Sequence, residues 1–129
     1  MIKKKKIVAE YYVKRLDIKI NSIAQKIVNL SGGNQQKITF ARLLALDPKI
    51  LILYEPTRGI HVGTKAEIHA IIEEFAKNGI GIIVISLELH EIMSIADRIL
   101  VMRLGKVSGM FVNDKGLTYE VLLKAASPV

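Results

Sequence analysis

Leu30-Ser31-Gly32-Gly33-Asn34-Gln35-Gln36-Lys37 leads into a segment with helical spacing, in which Ile38, Ala41, Leu44 and Ala45 share one face. A serine and two glycines at a helix start have a chemical meaning. The first backbone N–H groups of a helix have no partner inside it, and the helix dipole there favours anions. Glycines let the backbone come close to a phosphate, and a serine hydroxyl can donate to one of its oxygens. The same residues also make an ordinary Ser N-cap after a glycine turn. Ser-Gly-Gly taken alone favours that plainer reading.

Downstream, Asp47-Pro48 stops the helix, and Ile50 to Leu53 is an aliphatic run that predicts a buried strand. Thr64 and Glu67 have capping-box spacing, which predicts a helix start, and Ile68, Ile71, Ile72 and Phe75 follow at i, i+3, i+4 and i+7. Asn78-Gly79 ends that helix, and Ile80 to Ile85 predicts a second buried strand. Leu89, Ile92, Met93 and Ala96 repeat the helical spacing, and Arg98 to Met102 reads as a third strand. Leu104-Gly105-Lys106 turns into Val107 to Val112, an antiparallel hairpin, and Thr118, Val121, Leu122 and Ala125 predict a closing helix. Upstream, Val8, Tyr11, Tyr12 and Leu16 predict a short helix, and the capping-box spacing of Ser22 and Gln25 predicts another.

Strand, helix, strand, helix, strand is the rhythm of an α/β fold with a mostly parallel sheet and helical crossovers. Ligands sit at the carboxyl ends of such strands, which makes Tyr54-Glu55 and Ser86-Leu87-Glu88 site candidates. The 129 residues suffice for one domain with a modest core, and with 5% aromatics that core is built from Ile, Leu, Val and Ala. The absence of cysteine excludes disulfides and thiolate metal sites. No apolar run approaches the roughly 18 residues of a membrane span. The net charge of +7 includes the run Lys3 to Lys6, which reads as a frayed start or the cut edge of something longer. It is not followed by the apolar segment of a secretion signal. A basic balance can serve nucleic acid or an anionic membrane, but with no aromatics interleaved, a solvated basic tail is the preferred reading. His61, His69 and His90 lack metal-ligand spacing.

The full string Leu30 to Lys37 resembles the signature sequence of ATP-binding cassette (ABC) ATPases, and its Asn-Gln-Gln-Lys ending is similar to the monosaccharide-importer branch. Leu51-Ile52-Leu53-Tyr54-Glu55-Pro56-Thr57-Arg58-Gly59-Ile60 looks like that family's Walker B strand and D-loop. The likeness continues through Ile85-Ser86-Leu87-Glu88, Ala96-Asp97-Arg98 and Val101 to Lys106. It implies a partial P-loop NTPase core, with residues 1–29 a remnant of the helical subdomain and 30–129 the C-terminal part of the second cassette. It implies ATP and Mg²⁺ as cofactors. The implied partners are a second cassette, transmembrane permease subunits and, indirectly, a sugar-binding protein, with no nucleic acid, at the cytoplasmic face of the plasma membrane. Carried over residue by residue, Ser31, Gly32, Gly33 and Gln35 contact nucleotide held by a partner cassette, and Glu55 is the general base.

The sequence departs from that pattern in four places. No G-x-x-x-x-G-K-[S/T] phosphate loop is present. Tyr54 stands where the family has the Walker B aspartate, and a neutral phenol is a poor magnesium partner; a strand-end aromatic with its hydroxyl in solvent is the better description. His61 replaces the D-loop aspartate and reads as a surface loop residue. Leu87 falls where many cassettes carry the switch histidine. In relatives the phosphate-loop strand lies between the strands equivalent to Ile80–Ile85 and Arg98–Met102, so a gap is expected there, with dimerisation or a rearranged sheet as the consequence. The leading function is a fragment of the ATP-hydrolysing subunit of a sugar importer, inactive alone. The alternatives are a non-catalytic or decayed cassette remnant that pairs with an intact cassette, and a DNA-repair or chromosome-maintenance ATPase. The Asn-Gln-Gln-Lys ending and the lack of coiled-coil heptads speak against the last.

Overall fold

The computed structural model describes residues 1–127. The chain forms two compact units, Met1–Ile83 and Val84–Val129.

The first unit runs α1 (Ile2–Arg15), a single 3₁₀ turn at Ile27–Asn29, α2 (Gly32–Leu44), β1 (Ile50–Tyr54), α3 (Val62–Lys77) and the start of β2 (Gly81–Ile85). α1 is longer than the predicted Val8–Leu16, extending back through the lysine run. The helix predicted from Ser22 and Gln25 does not form. Its side chains serve a turn instead: Gln25 Oε1 accepts from the Asn21 N–H, and Ser22 Oγ accepts from the Ala24 N–H. A capping box needs a following apolar face to bury, and residues 23–29 offer none that is buried.

β1 and β2 pair, and the Gly81 N–H donates to the Lys49 carbonyl at 2.9 Å. The two strands therefore begin side by side and run parallel, as a strand–helix–strand crossover requires. The expectation of fully buried strands is corrected. In β1 only Leu51 and Leu53 are buried, while Ile52 is 66% exposed. No residue of β2 is buried. An aliphatic run cannot distinguish a strand covered on one face from a strand covered on both. The buried set of this unit is Leu51, Leu53, Phe40, Leu44, Ile68, Ile71, Ile72 and Phe75, joined by Leu16 and Ile18 beyond α1. Phe40 of α2 and Phe75 of α3 meet edge to face at 6.1 Å.

The second unit contains α4 (Leu89–Ile95), β3 (Arg98–Arg103), β4 (Lys106–Val112) and α5 (Tyr119–Ala126). β3 and β4 form the predicted antiparallel hairpin, with Arg103 opposite Lys106 across a two-residue turn. Leu104 and Gly105 both have positive φ, 50° and 75°, the geometry that matches strand twist in tight hairpins. Ser108 is the extra residue of a bulge, since Val101 pairs with Gly109 and Met102 with Val107. Ile99, Val101 and Leu122 are the buried centre, with Leu89, Ile92, Met93 and Phe111 around them. Asn113 anchors the end of the hairpin, donating from Nδ2 to the carbonyls of Met93 and Ala96. The strands thus make two separate two-stranded sheets, β1-β2 and β3-β4.

Burial sorts the β1 positions by face. Leu53→Ala is expected to cost about 2–5 kcal/mol, and Ile52→Thr to change stability by no more than about 0.5 kcal/mol, in urea unfolding followed by circular dichroism.

Candidate nucleotide-contacting site

Ser31 is the N-cap of α2, as the plainer reading of Ser-Gly-Gly has it. Its backbone is extended, and its Oγ accepts from the Asn34 backbone N–H at 3.3 Å. Asn34 Nδ2 also donates to Ser31 Oγ, at 3.0 Å. Ser31 and Gly32 are exposed, and Gly33 is buried. The cap leaves the leading N–H groups of α2 at an open helix N-terminus, an electrostatic setting suited to phosphate. Gln35 is half-buried, and its Nε2 donates to the Leu30 carbonyl at 2.9 Å, which braces the entry into the loop.

The loop is held from behind by contacts between distant segments. Asn34 Oδ1 accepts from the Lys19 backbone N–H at 3.0 Å. Lys37, one turn further on, is buried. Its Nζ donates to Glu67 Oε2 at 2.6 Å and to the Asp17 carbonyl at 3.1 Å. Asp17 has a positive φ of 49°, which turns the chain after α1. The Lys19 ammonium hydrogen-bonds its carboxylate and holds it below the usual carboxylate range. With a depressed folded pKa, that pair adds stability above the ordinary carboxylate range and loses it as pH falls through the folded value. Sequence reasoning quoted Asn34 and Lys37 as part of a string but gave them no structural part. For Lys37 a signal existed: it lies four residues after Gly33 and three before Phe40, on the inner face of α2.

Gly33 is required by space. A Cβ there would lie 2.2 Å from Thr64 Cγ2 and 3.3 Å from Thr64 Cβ. Thr64 is β-branched and stiff, so it cannot swing aside cheaply. A Cβ on Gly32 would be 3.9 Å from the Gly59 carbonyl. The signature-like loop and residues 59–64 are thereby neighbours, although 26 or more positions separate them in sequence.

The predicted capping box at Thr64 and Glu67 is corrected. α3 begins earlier, at Val62, and its N-cap is His61, whose Nδ1 accepts from the Gly63 N–H at 3.3 Å. Glu67 is engaged by Lys37 instead. His61 is exposed, as a surface residue should be, yet it does the capping that a carboxylate would do at this position. Neutral imidazole can accept only through its unprotonated nitrogen.

Glu55 follows β1 with a positive φ of 47° and is half-buried. Pro56 and Thr57 after it are fully buried, which anchors this turn. Tyr54 is 70% exposed at the strand end, in keeping with a solvent-facing phenol. The residues at this end of β1 do not fit a magnesium ion. Tyr54 offers no anionic oxygen, and among the described residues no three acidic or histidine side chains converge. His90 stacks on Tyr119 at 4.6 Å, an engagement between α4 and α5. Ser86 Oγ donates to the buried Glu91 at 2.6 Å and accepts from the Glu88 N–H, so it organises the turn into α4.

Residues 3–58 match the family model for ABC transporters. A ribose import ATP-binding protein of Rhizobium meliloti (strain 1021) is 46% identical over 94% of this chain and 23% of its own length. One from Caldanaerobacter subterraneus subsp. tengcongensis is 49% identical over 95% of the chain and 25% of its own length. A xylose import ATP-binding protein of Thermoanaerobacter pseudethanolicus is 53% identical over 80% of the chain and 20% of its own length. In fold the chain matches an ATP-binding cassette of an ABC transporter with a TM-score of 0.80, at 20% identity, over 97% of the chain and 51% of that structure. A dimeric cassette in a post-hydrolysis state with ADP and Pi gives 0.74 at 22% identity, over 87% of the chain and 48% of that structure. In sequence the chain is similar to ATP-binding proteins of sugar import, and in fold it is similar to ATP-binding cassettes of ABC transporters. The chain spans about a quarter of the length of these curated relatives.

Two outcomes test this geometry. Gly33→Ala is expected to destabilise the first unit by about 1–3 kcal/mol, as overpacking does, and adding Thr64→Ala should recover most of that loss in a double-mutant cycle. His61→Ala should cost about 0.5–2 kcal/mol of stability, whereas His61→Asp should match or exceed the original residue. Chemical denaturation of each variant checks both.

Proposed function

We propose that the chain is the C-terminal portion of the second cassette of a sugar ABC importer, and that its working contribution is to lend the Ser31–Gly33 loop to ATP bound by a partner cassette. The observation that carries this is the built loop. Ser31 caps α2, Gly33 is pressed against Thr64, and Asn34 and Lys37 tie the helix to residues 17–19 and to α3. Such bracing supports a helix N-terminus held in one orientation, which is what binding a phosphate without reorganisation demands. Ser31, Gly32 and Gly33 would touch the phosphate, and Gln35 would act through its hold on Leu30.

Residues 1–29 correspond in this reading to the helical subdomain, and 30–129 to the cassette core. Glu55 stands at the general-base position at the end of β1, where a carboxylate could orient an attacking water. ATP would supply the phosphoryl group for transfer. The chain's own residues would orient its phosphates from one side and exclude water there. Mg²⁺ belongs to the family's chemistry, but Tyr54 does not suit it. Permease subunits and a sugar-binding protein would complete an importer at the cytoplasmic face of the membrane.

The isolated chain is expected neither to bind a fluorescent ATP analogue appreciably nor to turn over ATP. Mixed with an intact sugar-importer cassette, it should form a mixed complex whose nucleotide affinity falls on Ser31→Ala. ATP turnover by the isolated chain that disappears in Glu55→Gln would refute the non-catalytic part of this reading, and failure to pair with any intact cassette would refute the lending role.

A further inference from the structure

The first 19 residues hold seven basic and two acidic residues, and α1 carries six of the seven. Yet α1 contributes no buried side chain. Ala9, Tyr12 and Val13 are half-buried and Leu16 is buried, which marks the side of the helix turned toward the rest of its unit. Ile7 and Tyr11 lie on the other side and are 65% and 56% exposed, and Val8, one turn before Tyr12, lies at the edge of that side and is 48% exposed. By helical spacing, Lys3 and Lys4 sit one turn before this apolar centre on the same side, and Lys14 and Arg15 one turn after it. Local acids answer only part of the charge: Glu10 lies 3.8 Å from Lys6, and Glu74 lies 3.6 Å from Arg15.

An apolar centre bracketed by cations has a specific complement. A nucleic-acid backbone would use the lysines and leave Ile7 and Val8 in water. The surface of an anionic bilayer uses both, taking the cations at the headgroup phosphates and short apolar side chains in the interfacial layer. We infer that the outer face of α1 docks on membrane surfaces rich in anionic phospholipid. This stands on α1 alone and is independent of the nucleotide reading.

The chain has no tryptophan, so Ile7→Trp gives a single reporter at the centre of the face. In the full chain, its fluorescence should shift to the blue with phosphatidylcholine vesicles containing about 30% phosphatidylserine, and not with phosphatidylcholine alone. Replacing Lys3, Lys4, Lys5 and Lys6 by Gln, all at exposed positions, should weaken binding by more than about tenfold. Raised salt should weaken it too. Ile7→Ser in the otherwise unaltered chain should weaken sedimentation with the same vesicles. Unchanged far-UV circular dichroism of each variant establishes that the fold is intact. Equal binding to neutral vesicles, binding indifferent to the lysine replacements, or binding to duplex DNA with no vesicle binding would each overturn the inference.

Discussion

Everything about the candidate site depends on the seam between α2 and α3. Three contacts mark it in the same order along both helices: Gly33 against Thr64, Lys37 with Glu67, and Phe40 with Phe75. The first works by the absence of a side chain, the second by charge, the third by apolar area. Together they set the axis of α2, and a helix axis is also the direction of its dipole and of its unpaired N–H groups. Lys37 adds a third body to the seam by reaching the carbonyl of Asp17, and Asn34 adds another link to the same loop through the Lys19 N–H. A buried ammonium with two acceptors avoids the large penalty of an unpaired buried charge. Its geometry also fixes register in a way that apolar packing alone would not.

The other end of the unit is built to a different specification. After β1 the chain turns at Glu55 and buries Pro56 and Thr57. Tyr54 at the strand end is a solvent-exposed phenol. At residue 61 an imidazole serves as the helix cap at the start of α3. Under the proposed function the capped loop offers a helix end to phosphate, while Tyr54 at the strand end does not suit Mg²⁺.

Much of this was legible in the residues. The apolar spacing of Ile68, Ile71, Ile72 and Phe75 gave α3, and Leu104-Gly105 gave a hairpin turn whose positive φ angles the fold adopts. The signature string pointed to α2 and to its Ser N-cap. Less legible was which face of an aliphatic strand is covered, because Ile50 to Leu53 reads the same for one-sided and two-sided burial. Capping residues misled where tertiary contacts claimed them. Glu67 fits a capping box on paper, yet Lys37, thirty positions away, claims it. His61 was read as a surface loop residue, yet it caps α3, and Gly33 was read for phosphate approach when its neighbour Thr64 gives it a packing reason as well.

Site-resolved amide hydrogen exchange in Lys37→Met measures directly whether the seam holds the Ser31–Gly33 loop rigid. Loss of the Glu67 and Asp17 contacts should speed exchange at Asn34, Gln35 and the first turn of α3, while the β3–β4 hairpin amides keep their rates. Unchanged exchange at Asn34 and Gln35 in the variant, or exchange in the unaltered chain as fast as that of a frayed terminus, would contradict that hold.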